Sequence, residues 1–263
     1  MKTVAIVQAR MGSTRLPGKV LLPLADKPTL WWVAKRIAAS DVDEVVIATP
    51  SHPGNNKILD FFFELLKDHS REEFYKMPYL FLYEGEEDDV LGRVIAAAEW
   101  SGADLIVEIT GDCPLVDPRH INALLQEMKI RLGANIKISK FCYISNCEER
   151  TWPDGFDIQI YTMEALLDLK KRYDPKTHVG WNFTQHKHFY ETINVPAPKD
   201  YYWPELGLTL DTKEDYDLLN KICKYFKNDP LASAEMIIDY IKRRPELANI
   251  NNEVKRKDPK KEA

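Results

Sequence analysis

The chain of 263 residues is 44% hydrophobic and 29% charged, a composition typical of a folded domain with an ordinary polar surface. Its formal net charge of −5, with no broad basic stripe, argues against nucleic acid as a partner. No run approaches the roughly 20 apolar residues of a membrane-spanning helix, and the apolar start at Val4–Val7 is too short for a signal peptide. We therefore expect a cytoplasmic protein without a membrane partner. The spacing of its four cysteines fits no zinc or redox motif, which favours reduced thiols.

The first half of the chain alternates apolar runs with segments of helical spacing. The runs predict buried strands at Val4–Gln8, Glu44–Thr49, Leu80–Tyr83 and Asp104–Thr110, and the spacing predicts helices at Thr29–Ala39, Asn55–Asp68, Asp88–Trp100 and Pro118–Ile130. This alternation indicates an α/β fold with a mostly parallel sheet covered on both faces. Ligands in such folds bind beyond the carboxyl ends of the strands. The segments that follow Gln8 and Thr110 should therefore lie close together.

The second half is less regular. We predict strands at Cys142–Asn146, Phe156–Tyr161 and Leu206–Leu210, and helices at Met163–Arg172, Lys176–Gln185, Lys213–Phe226 and Leu231–Arg243. We assign residues 1–250 to a single domain. Residues 251–263 are charged and lack a periodic apolar pattern, which predicts a flexible, solvated tail.

The loop Gln8–Lys19 carries the strongest chemical signal. It reads Gln-Ala-Arg-Met-Gly-Ser-Thr-Arg-Leu-Pro-Gly-Lys and brings three cations, Arg10, Arg15 and Lys19, to the end of the first strand. Its glycines allow close backbone approach, consecutive N–H groups can bind an anion, and arginine forks match phosphate oxygens. The loop matches neither a Walker A motif nor a GxGxxG fingerprint. It predicts a polyphosphate site, and the alternative is a solvated basic loop.

Two carboxylates follow apolar runs at predicted strand ends. Asp112 follows the predicted strand Asp104–Thr110 after Gly111, and either magnesium binding or a turn-stabilising role fits it equally well. Asp211 follows Leu206–Leu210, where capping of the next helix by Asp211 or Thr212 is the first expectation and magnesium binding the alternative. Asp117, which precedes Pro118, is interpreted as a helix N-cap.

Other polar segments are open to two interpretations. Acidic residues at 86–89 suit a helix start, and Arg93 either faces solvent or reaches into the site. The segment Arg150–Asp157 is either a substrate loop or a Pro-Asp-Gly turn. His178 is as compatible with a structural role as with a catalytic one, and His186 and His188 are expected at the surface.

Taken together, these motifs resemble the SpsF family of cytidylyltransferase-like proteins. That family is linked to spore coat and surface polysaccharide synthesis and is related to the enzymes that make CMP-Kdo and CMP-sialic acids. The similarity runs roughly from Thr3 to Phe226. It implies a GT-A/Rossmann-like three-layer fold, CTP as donor, Mg²⁺ as cofactor, release of pyrophosphate, and a small anionic acceptor such as an acidic sugar or a phosphorylated sugar or polyol. A homodimer is compatible with it, with acceptor and dimerisation elements within roughly residues 140–205.

The resemblance also implies roles for individual residues. Catalytic roles, by neutralising charge on the departing pyrophosphate, fall to Arg10, Arg15 and Lys19. Magnesium binding falls to Asp112 and Asp211. Nucleotide binding is expected of Gln8, Ala9, Arg10, Met11, Gly12, Ser13, Arg15, Lys19, Asp89, Arg93 and Gly111, and acceptor binding of Arg150, Asp154, Asp157 and His178.

The sequence departs from the family pattern in three places. Lys176-Thr177-His178 replaces Arg/Lys-Glu-His, the following Val-Gly-Trp-Asn replaces Val-Thr-Pro-Tyr, and Trp152 replaces a tyrosine. All three fall where an acceptor would bind, so they bear on the acceptor more than on the nucleotide. The alternatives are a transferase using another nucleotide, a nucleotide-sugar glycosyltransferase, and a non-enzymatic nucleotide-binding regulator. The retained carboxylates and cations argue against the last of these.

Overall fold

The computed structural model describes residues 1–67, 79–133, 141–174 and 179–256. Its strands are β1 (Thr3–Gln8), β2 (Pro23–Leu24), β3 (Lys27–Pro28), β4 (Glu44–Pro50), β5 (Tyr79–Gly85), β6 (Leu105–Thr110), β7 (Cys142–Ser145), β8 (Gln159–Thr162) and β9 (Glu191–Asn194). Its α-helices are α1 (Thr29–Ile37), α2 (Asn56–Lys67), α3 (Val90–Ser101), α4 (Pro118–Gly133), α5 (Met163–Tyr173), α6 (Val179–Gln185), α7 (Lys213–Tyr225), α8 (Ala234–Lys242) and α9 (Pro245–Ala248).

Within the described ranges, seven strands form one sheet in the order β5-β4-β1-β6-β8-β7-β9. The pairings β5–β4, β4–β1, β1–β6 and β7–β9 are parallel, while β8 runs antiparallel to both of its neighbours. Strands β2 and β3 form a separate small hairpin. The predicted α/β fold with a mostly parallel sheet is confirmed.

Helices cover both faces of this sheet because successive strand side chains point to opposite sides. Ala5 and Val7 of β1 pack in one core cluster with residues of α1, α2 and α4. Val4 and Ile6 pack in a second cluster with residues of α3 and α5. The result is the three-layer arrangement that the sequence predicts. A further cluster joins α7 and α8 to the segment Leu206–Leu210.

Capping residues set several helix boundaries. The carboxylate of Asp117 accepts the backbone N–H of Arg119 at 2.8 Å, which confirms Asp117 as the N-cap of α4. Thr162 caps α5 by accepting the N–H of Ala165 at 3.1 Å. These side chains satisfy backbone donors that have no partner inside the first turn. Two ends of predicted helices lie outside the described residues: Asp68 of the helix Asn55–Asp68, and residues 176–178 of the helix Lys176–Gln185.

The predicted strand at Leu206–Leu210 is wrong. This segment forms a single isolated β-bridge, between Asp154 and Gly207. Its backbone bonds to two loops instead of a strand: Leu208 donates to the carbonyl of Asp154, and Leu210 donates to the carbonyl of Asp112 at 2.9 Å. Apolar burial, with side chains in the cluster around α7, explains the strand-like sequence pattern.

The start of the predicted tail also requires correction. Asn251 is 4% exposed, and Arg256 forms an ion pair with the buried carboxylate of Asp215. Polar contacts of Asn251 and Arg256 therefore hold residues 251–256 against the protein body, and an apolar periodicity cannot reveal such contacts. Residues 257–263 lie outside the described part of the chain, and the assignment of residues 1–250 to one domain stays a prediction.

All four cysteines are free thiols, and Cys113, Cys142 and Cys223 are buried. Burial raises the pKa of Cys223 to about 12, so this thiol stays protonated at neutral pH. Across the described helices, no segment combines the length and apolar character needed to cross a bilayer.

Candidate active site

Two loops leave the carboxyl edge of the sheet side by side. Gln8, the last residue of β1, pairs in register with Thr110, the last residue of β6. The N–H of Gly111 donates to the carbonyl of Gln8 at 2.8 Å, and a Cβ at Gly111 would lie 2.9 Å from that same oxygen. A side chain at position 111 would therefore separate the loops. The predicted proximity of the segments after Gln8 and Thr110 is confirmed.

The loop after β1 folds back on itself. The N–H groups of Ser13 and Gly18 both donate to the carbonyl of Met11 at 3.0 Å, while the N–H of Met11 donates to the Asn55 side chain at 2.8 Å. Gly18 has a φ of 70°, a left-handed backbone conformation that residues with a side chain rarely adopt. It precedes a 3₁₀ turn, Lys19–Leu21, whose first residue is thereby directed back toward the sheet edge.

Lys19 joins the two candidate metal carboxylates. Its ammonium donates to the Asp112 carboxylate and to Oδ1 of Asp211, the latter at 2.7 Å. Nη2 of Arg15 contacts Oδ2 of Asp211, also at 2.7 Å. The side chains of Lys19, Asp112 and Asp211 are only 12%, 17% and 16% exposed, so solvent screens these contacts weakly. The structure thus brings Lys19 and Arg15 together with both carboxylates, which the sequence placed at separate strand ends.

Charge pairing opposes burial in this cluster. Burial acts to lower the pKa of Lys19, but Asp112 and Asp211 outweigh it and raise that pKa above its ordinary value. Burial acts to raise the pKa of Asp211, but Lys19 and Arg15 outweigh it and lower that pKa. Lys19 and Asp211 therefore stabilise each other's charged form.

Asp211 is not the cap of the helix that follows it. Thr212 caps α7: its hydroxyl accepts the N–H of Asp215 at 3.3 Å, and the Asp215 carboxylate accepts the N–H of Thr212 at 2.9 Å. This reciprocal pair is a capping box. The carboxylate of Asp211 is left to face Lys19 and Arg15, which removes the main competing interpretation of that residue.

A buried polar chain connects the loop after β1 to the centre of the sheet. Arg93 is 4% exposed, and its Nη2 lies 3.4 Å from Oε1 of Gln8. Nε2 of Gln8 donates to the carboxylate of Glu108, which also accepts the hydroxyl of Tyr161 at 2.7 Å. Burial raises the pKa of Glu108. Arg93 therefore reaches toward the site and not toward solvent, and this chain fixes the orientation of the Gln8 amide.

Sequence reasoning missed Glu108 and Tyr161, although a signal was present. A glutamate in the apolar run Leu-Ile-Val-Glu-Ile-Thr cannot be left without partners in a buried strand.

Arg10 and Asp89 frame the same region. Burial lowers the pKa of Arg93, and the nearby positive charge of Arg10 lowers it further. Two neighbouring guanidinium groups favour an anion between them. The Asp89 carboxylate caps α3 by accepting the N–H of Gly92 at 2.8 Å and contacts Lys170 at 3.4 Å. The part of Asp89 in nucleotide binding stays a prediction.

The segment Arg150–Asp157 is held by internal ion pairs. Arg150 donates two hydrogen bonds to Asp157, at 2.8 and 2.7 Å, and lies 3.4 Å from Asp154. Burial, followed by the charge of Asp157, raises the pKa of Asp154 to about 6. Trp152 is 5% exposed and packs in the core beside Tyr201. The segment is therefore an ordered loop with one guanidinium for two carboxylates.

The segment Thr209–Asp211 connects this loop to the carboxylate pair. The hydroxyl of Thr209 donates to Oδ1 of Asp154 at 3.0 Å, and the N–H of Leu210 donates to the carbonyl of Asp112 at 2.9 Å. The predicted acceptor loop is thus linked to the two aspartates by consecutive residues. His178 lies outside the described residues. His188 is exposed, and the His186 ring stacks on Tyr173, with 3.6 Å between ring centroids.

A cation-rich loop and two carboxylates at the carboxyl edge of a mostly parallel sheet define a nucleotide-binding α/β protein. The family model of the cytidylyltransferases matches residues 4–149. The chain belongs to the cytidylyltransferase family.

Three relatives support this assignment. The spore coat polysaccharide biosynthesis protein SpsF of Bacillus subtilis is 30% identical over 252 residues, which cover 92% of this chain and 95% of that protein. A 3-deoxy-manno-octulosonate cytidylyltransferase of Psychrobacter cryohalolentis is 32% identical over 133 residues, 50% of this chain and 44% of that protein. The solved structure of a cytidylyltransferase from Leptospira borgpetersenii is 27% identical, with a TM-score of 0.81, and the match covers 94% of this chain and 97% of that one.

The resemblance to the SpsF family is confirmed, and the chain is a CTP-dependent nucleotidyltransferase that transfers CMP.

Proposed function

We propose that the enzyme transfers CMP from CTP to an acidic sugar, or to a phosphorylated sugar or polyol, with release of pyrophosphate, for the synthesis of a surface glycan. One observation carries the proposal: Lys19 lies between Asp112 and Asp211, beside Arg15, at the edge where β1 and β6 end. This cluster contains the charges that a metal–triphosphate complex requires, held in a largely buried setting.

The two aspartates fit a magnesium ion. Their carboxylate oxygens are the hard ligands that Mg²⁺ prefers, and a single cationic atom, the nitrogen of Lys19, already contacts both. Asp112 and Asp211 would hold the ion. When bound, the ion would supply positive charge to the oxygens of the phosphate being attacked.

The side chains of the enzyme would position the phosphates of CTP and neutralise the charge of the leaving group. An acceptor oxygen forms a bond to the α-phosphorus of CTP, and the bond from that phosphorus to the β-phosphate oxygen breaks. The electron pair of the broken bond leaves with pyrophosphate. An attacking sugar hydroxyl passes its proton to solvent, whereas an attacking phosphate oxygen has no proton to lose. Lys19, Arg15 and Arg10 would contact the phosphates and offset the charge that grows on the leaving group, a contribution of positioning and electrostatics.

The acceptor class is inferred from two relatives and from the segment Arg150–Asp157. The relatives are named for spore coat polysaccharide biosynthesis and for cytidylyl transfer to 3-deoxy-manno-octulosonate, which is an acidic sugar. In this chain, Arg150 is already bound by Asp157, so an anionic acceptor would compete with that carboxylate for the guanidinium. Asp154 and Asp157 would accept hydrogen bonds from acceptor hydroxyls.

A pyrophosphate-release screen tests the proposal. The purified chain is incubated with Mg²⁺, CTP and a panel of acidic sugars, sugar phosphates and polyol phosphates, and UTP, GTP and ATP replace CTP in parallel. We expect release with CTP and at least one acidic acceptor, and its loss in Lys19→Ala. CTP binding without release across the whole panel would contradict transfer and favour a regulatory role. Stabilisation by a UDP-sugar alone would favour a glycosyltransferase.

Location and assembly remain separate proposals. We propose a cytoplasmic site of action, which localisation of a tagged chain would test. We also propose a homodimer, with contacts within roughly residues 140–205, which sedimentation analysis of the purified chain would test.

A further inference from the structure

Asp215 lies at the centre of a hydrogen-bond network that reaches the carboxylate pair from behind. Its side chain is fully buried, yet it accepts five hydrogen bonds. Oδ2 accepts the N–H groups of Asp211 and Thr212 at 3.1 and 2.9 Å, and the hydroxyl of Thr212 at 3.2 Å. Oδ2 of Asp215 therefore fixes the backbone at Asp211 and Thr212, and with it the position of the Asp211 side chain.

The other oxygen of Asp215 is held by the C-terminal segment. Oδ1 accepts Nδ2 of Asn251 and Nη2 of Arg256, both at 2.7 Å. Nδ2 of Asn251 also donates to the carbonyl of Gly207 at 2.8 Å. A buried carboxylate without a cation is costly, and Arg256 forms the ion pair of Asp215 within the described residues. The C-terminal segment thus neutralises the charge that orders the loop at Asp211.

Gly207 makes room for the guanidinium. A Cβ at position 207 would lie 1.8 Å from Nη2 and 2.1 Å from Cζ of Arg256. The arginine end is the flexible partner in that contact, so any side chain at position 207 would displace it. The absence of a side chain at this position is therefore a condition for the ion pair between Arg256 and Asp215.

We propose that Arg256 is a positioning residue of the active site, which fixes Asp211 for metal–nucleotide binding through the shared carboxylate of Asp215. The inference rests on the proposed function, because it assumes that Asp211 serves the metal–triphosphate complex. Residues that orient metal ligands from behind typically change metal affinity by about 10- to 100-fold when they are lost.

Four variants of the full chain separate positioning from general stability. Arg256→Gln removes the charge, and Lys255→Gln removes an equal charge from the exposed neighbour as the matched control. Gly207→Ala keeps the charge and displaces the guanidinium, and the fourth variant combines Gly207→Ala with Arg256→Gln. CTP affinity is measured by titration calorimetry, once with Mg²⁺ and once with EDTA. Thermal unfolding is followed for every variant.

We expect Arg256→Gln and Gly207→Ala each to lose about tenfold of the CTP affinity that Mg²⁺ adds, with little change in EDTA. The combined variant should lose no more than either single one, because both act through the same contact. Lys255→Gln should change CTP affinity by less than about twofold, as an exposed charge does.

Three results would overturn the inference: equal affinities for Arg256→Gln and Lys255→Gln with Mg²⁺, equal losses with Mg²⁺ and with EDTA, or no gain from Mg²⁺ in the unaltered chain. Failure of the proposed function looks different. In that case the unaltered chain releases no pyrophosphate with any acceptor, while its magnesium-dependent CTP binding still responds to Arg256→Gln.

Discussion

Replacing Lys19 by alanine should lower both the stability and the turnover of the enzyme, and it should increase the stabilisation that Mg²⁺ provides. The ammonium bridges Asp112 and Asp211. Its removal leaves Asp112 without an ion-pair partner, and Asp211 with Arg15 alone, in the described structure. A hydrogen bond to a charged group contributes about 1.5–3 kcal/mol, and both carboxylates retain some solvent. We therefore expect the free energy of unfolding to fall by about 2 kcal/mol. For a chain of this size, that corresponds to a loss of roughly 4–8 °C in Tm.

Magnesium should reverse part of that loss. In the unaltered chain, the lysine competes with a metal ion for the same oxygens, whereas in Lys19→Ala the oxygens are free to bind one. If the variant binds Mg²⁺ with a Kd of about 1 mM, about 10 mM Mg²⁺ stabilises it by about 1.4 kcal/mol. Without nucleotide, Mg²⁺ should therefore raise the Tm of the variant more than that of the unaltered chain.

Turnover should fall, even though Mg²⁺ stabilises the variant more strongly. Loss of a cation that faces the leaving group should reduce kcat by about 100-fold or more. Thermal unfolding with a Mg²⁺ series, and pyrophosphate release at saturating CTP, measure the two effects separately. Full activity in Lys19→Ala, or a Tm that responds to Mg²⁺ as in the unaltered chain, would refute the assignment of Lys19 and the carboxylates to one site.

Three further changes test other parts of the structure. Glu108→Leu leaves the amide of Gln8 and the hydroxyl of Tyr161 without their buried acceptor, so we expect a loss of about 2–3 kcal/mol in denaturant unfolding and a higher KM for CTP. Burial, followed by the charge of Asp157, raises the pKa of Asp154 from its ordinary 3.8 to about 6 in the folded chain, so its ionisation costs stability as pH rises through this window. In urea unfolding, the free energy of unfolding of Asp154→Asn should therefore increase relative to that of the unaltered chain as pH rises from about 4 to 7. A difference that does not depend on pH would contradict this pKa. Arg36 is 1% exposed and donates to the carbonyls of Val116, Pro230 and Ala232, so Arg36→Leu should lower the free energy of unfolding by about 3 kcal/mol or more, and an unchanged urea midpoint would disprove its anchoring role.

The sequence predicted the nucleotide half of the site because two local patterns coincide there. The apolar runs that become β1 and β6 identify buried strands, and parallel topology then brings their carboxyl ends together whatever the intervening sequence. The cations of Gln8–Lys19 and the carboxylate of Asp112 follow those ends directly. Their contact through Lys19 could therefore be anticipated without knowledge of the packing of distant elements.

The supporting residues could not be predicted in the same way. Asp215 has a sufficient local explanation as part of the capping box of α7, so nothing in the sequence indicates its bonds to Asn251 and Arg256. Those bonds join residues 36 and 41 positions apart, and polar contacts across such distances leave no periodic pattern. The prediction of a strand at Leu206–Leu210 was wrong for a related reason, since the apolar character of this segment reflects burial beside α7 and not strand pairing.

The same contrast explains why the nucleotide is better determined than the acceptor. Triphosphate recognition needs excess positive charge, and the loop after β1 provides it within 12 residues that a sequence displays directly. The acceptor loop instead has its one arginine bound by Asp157 and its Asp154 bound by Thr209, so its net charge is negative and its hydrogen bonds are mostly internal. An acidic acceptor would therefore require either rearrangement of the Arg150 ion pair or a cation from the nucleotide side. Asp157→Asn frees that guanidinium, so it should lower KM for an anionic acceptor several-fold and leave KM for CTP unchanged. A KM that rises instead, in the same steady-state assay, would mean that the negative charge of Asp157 contributes more to acceptor binding than the freed guanidinium of Arg150 does.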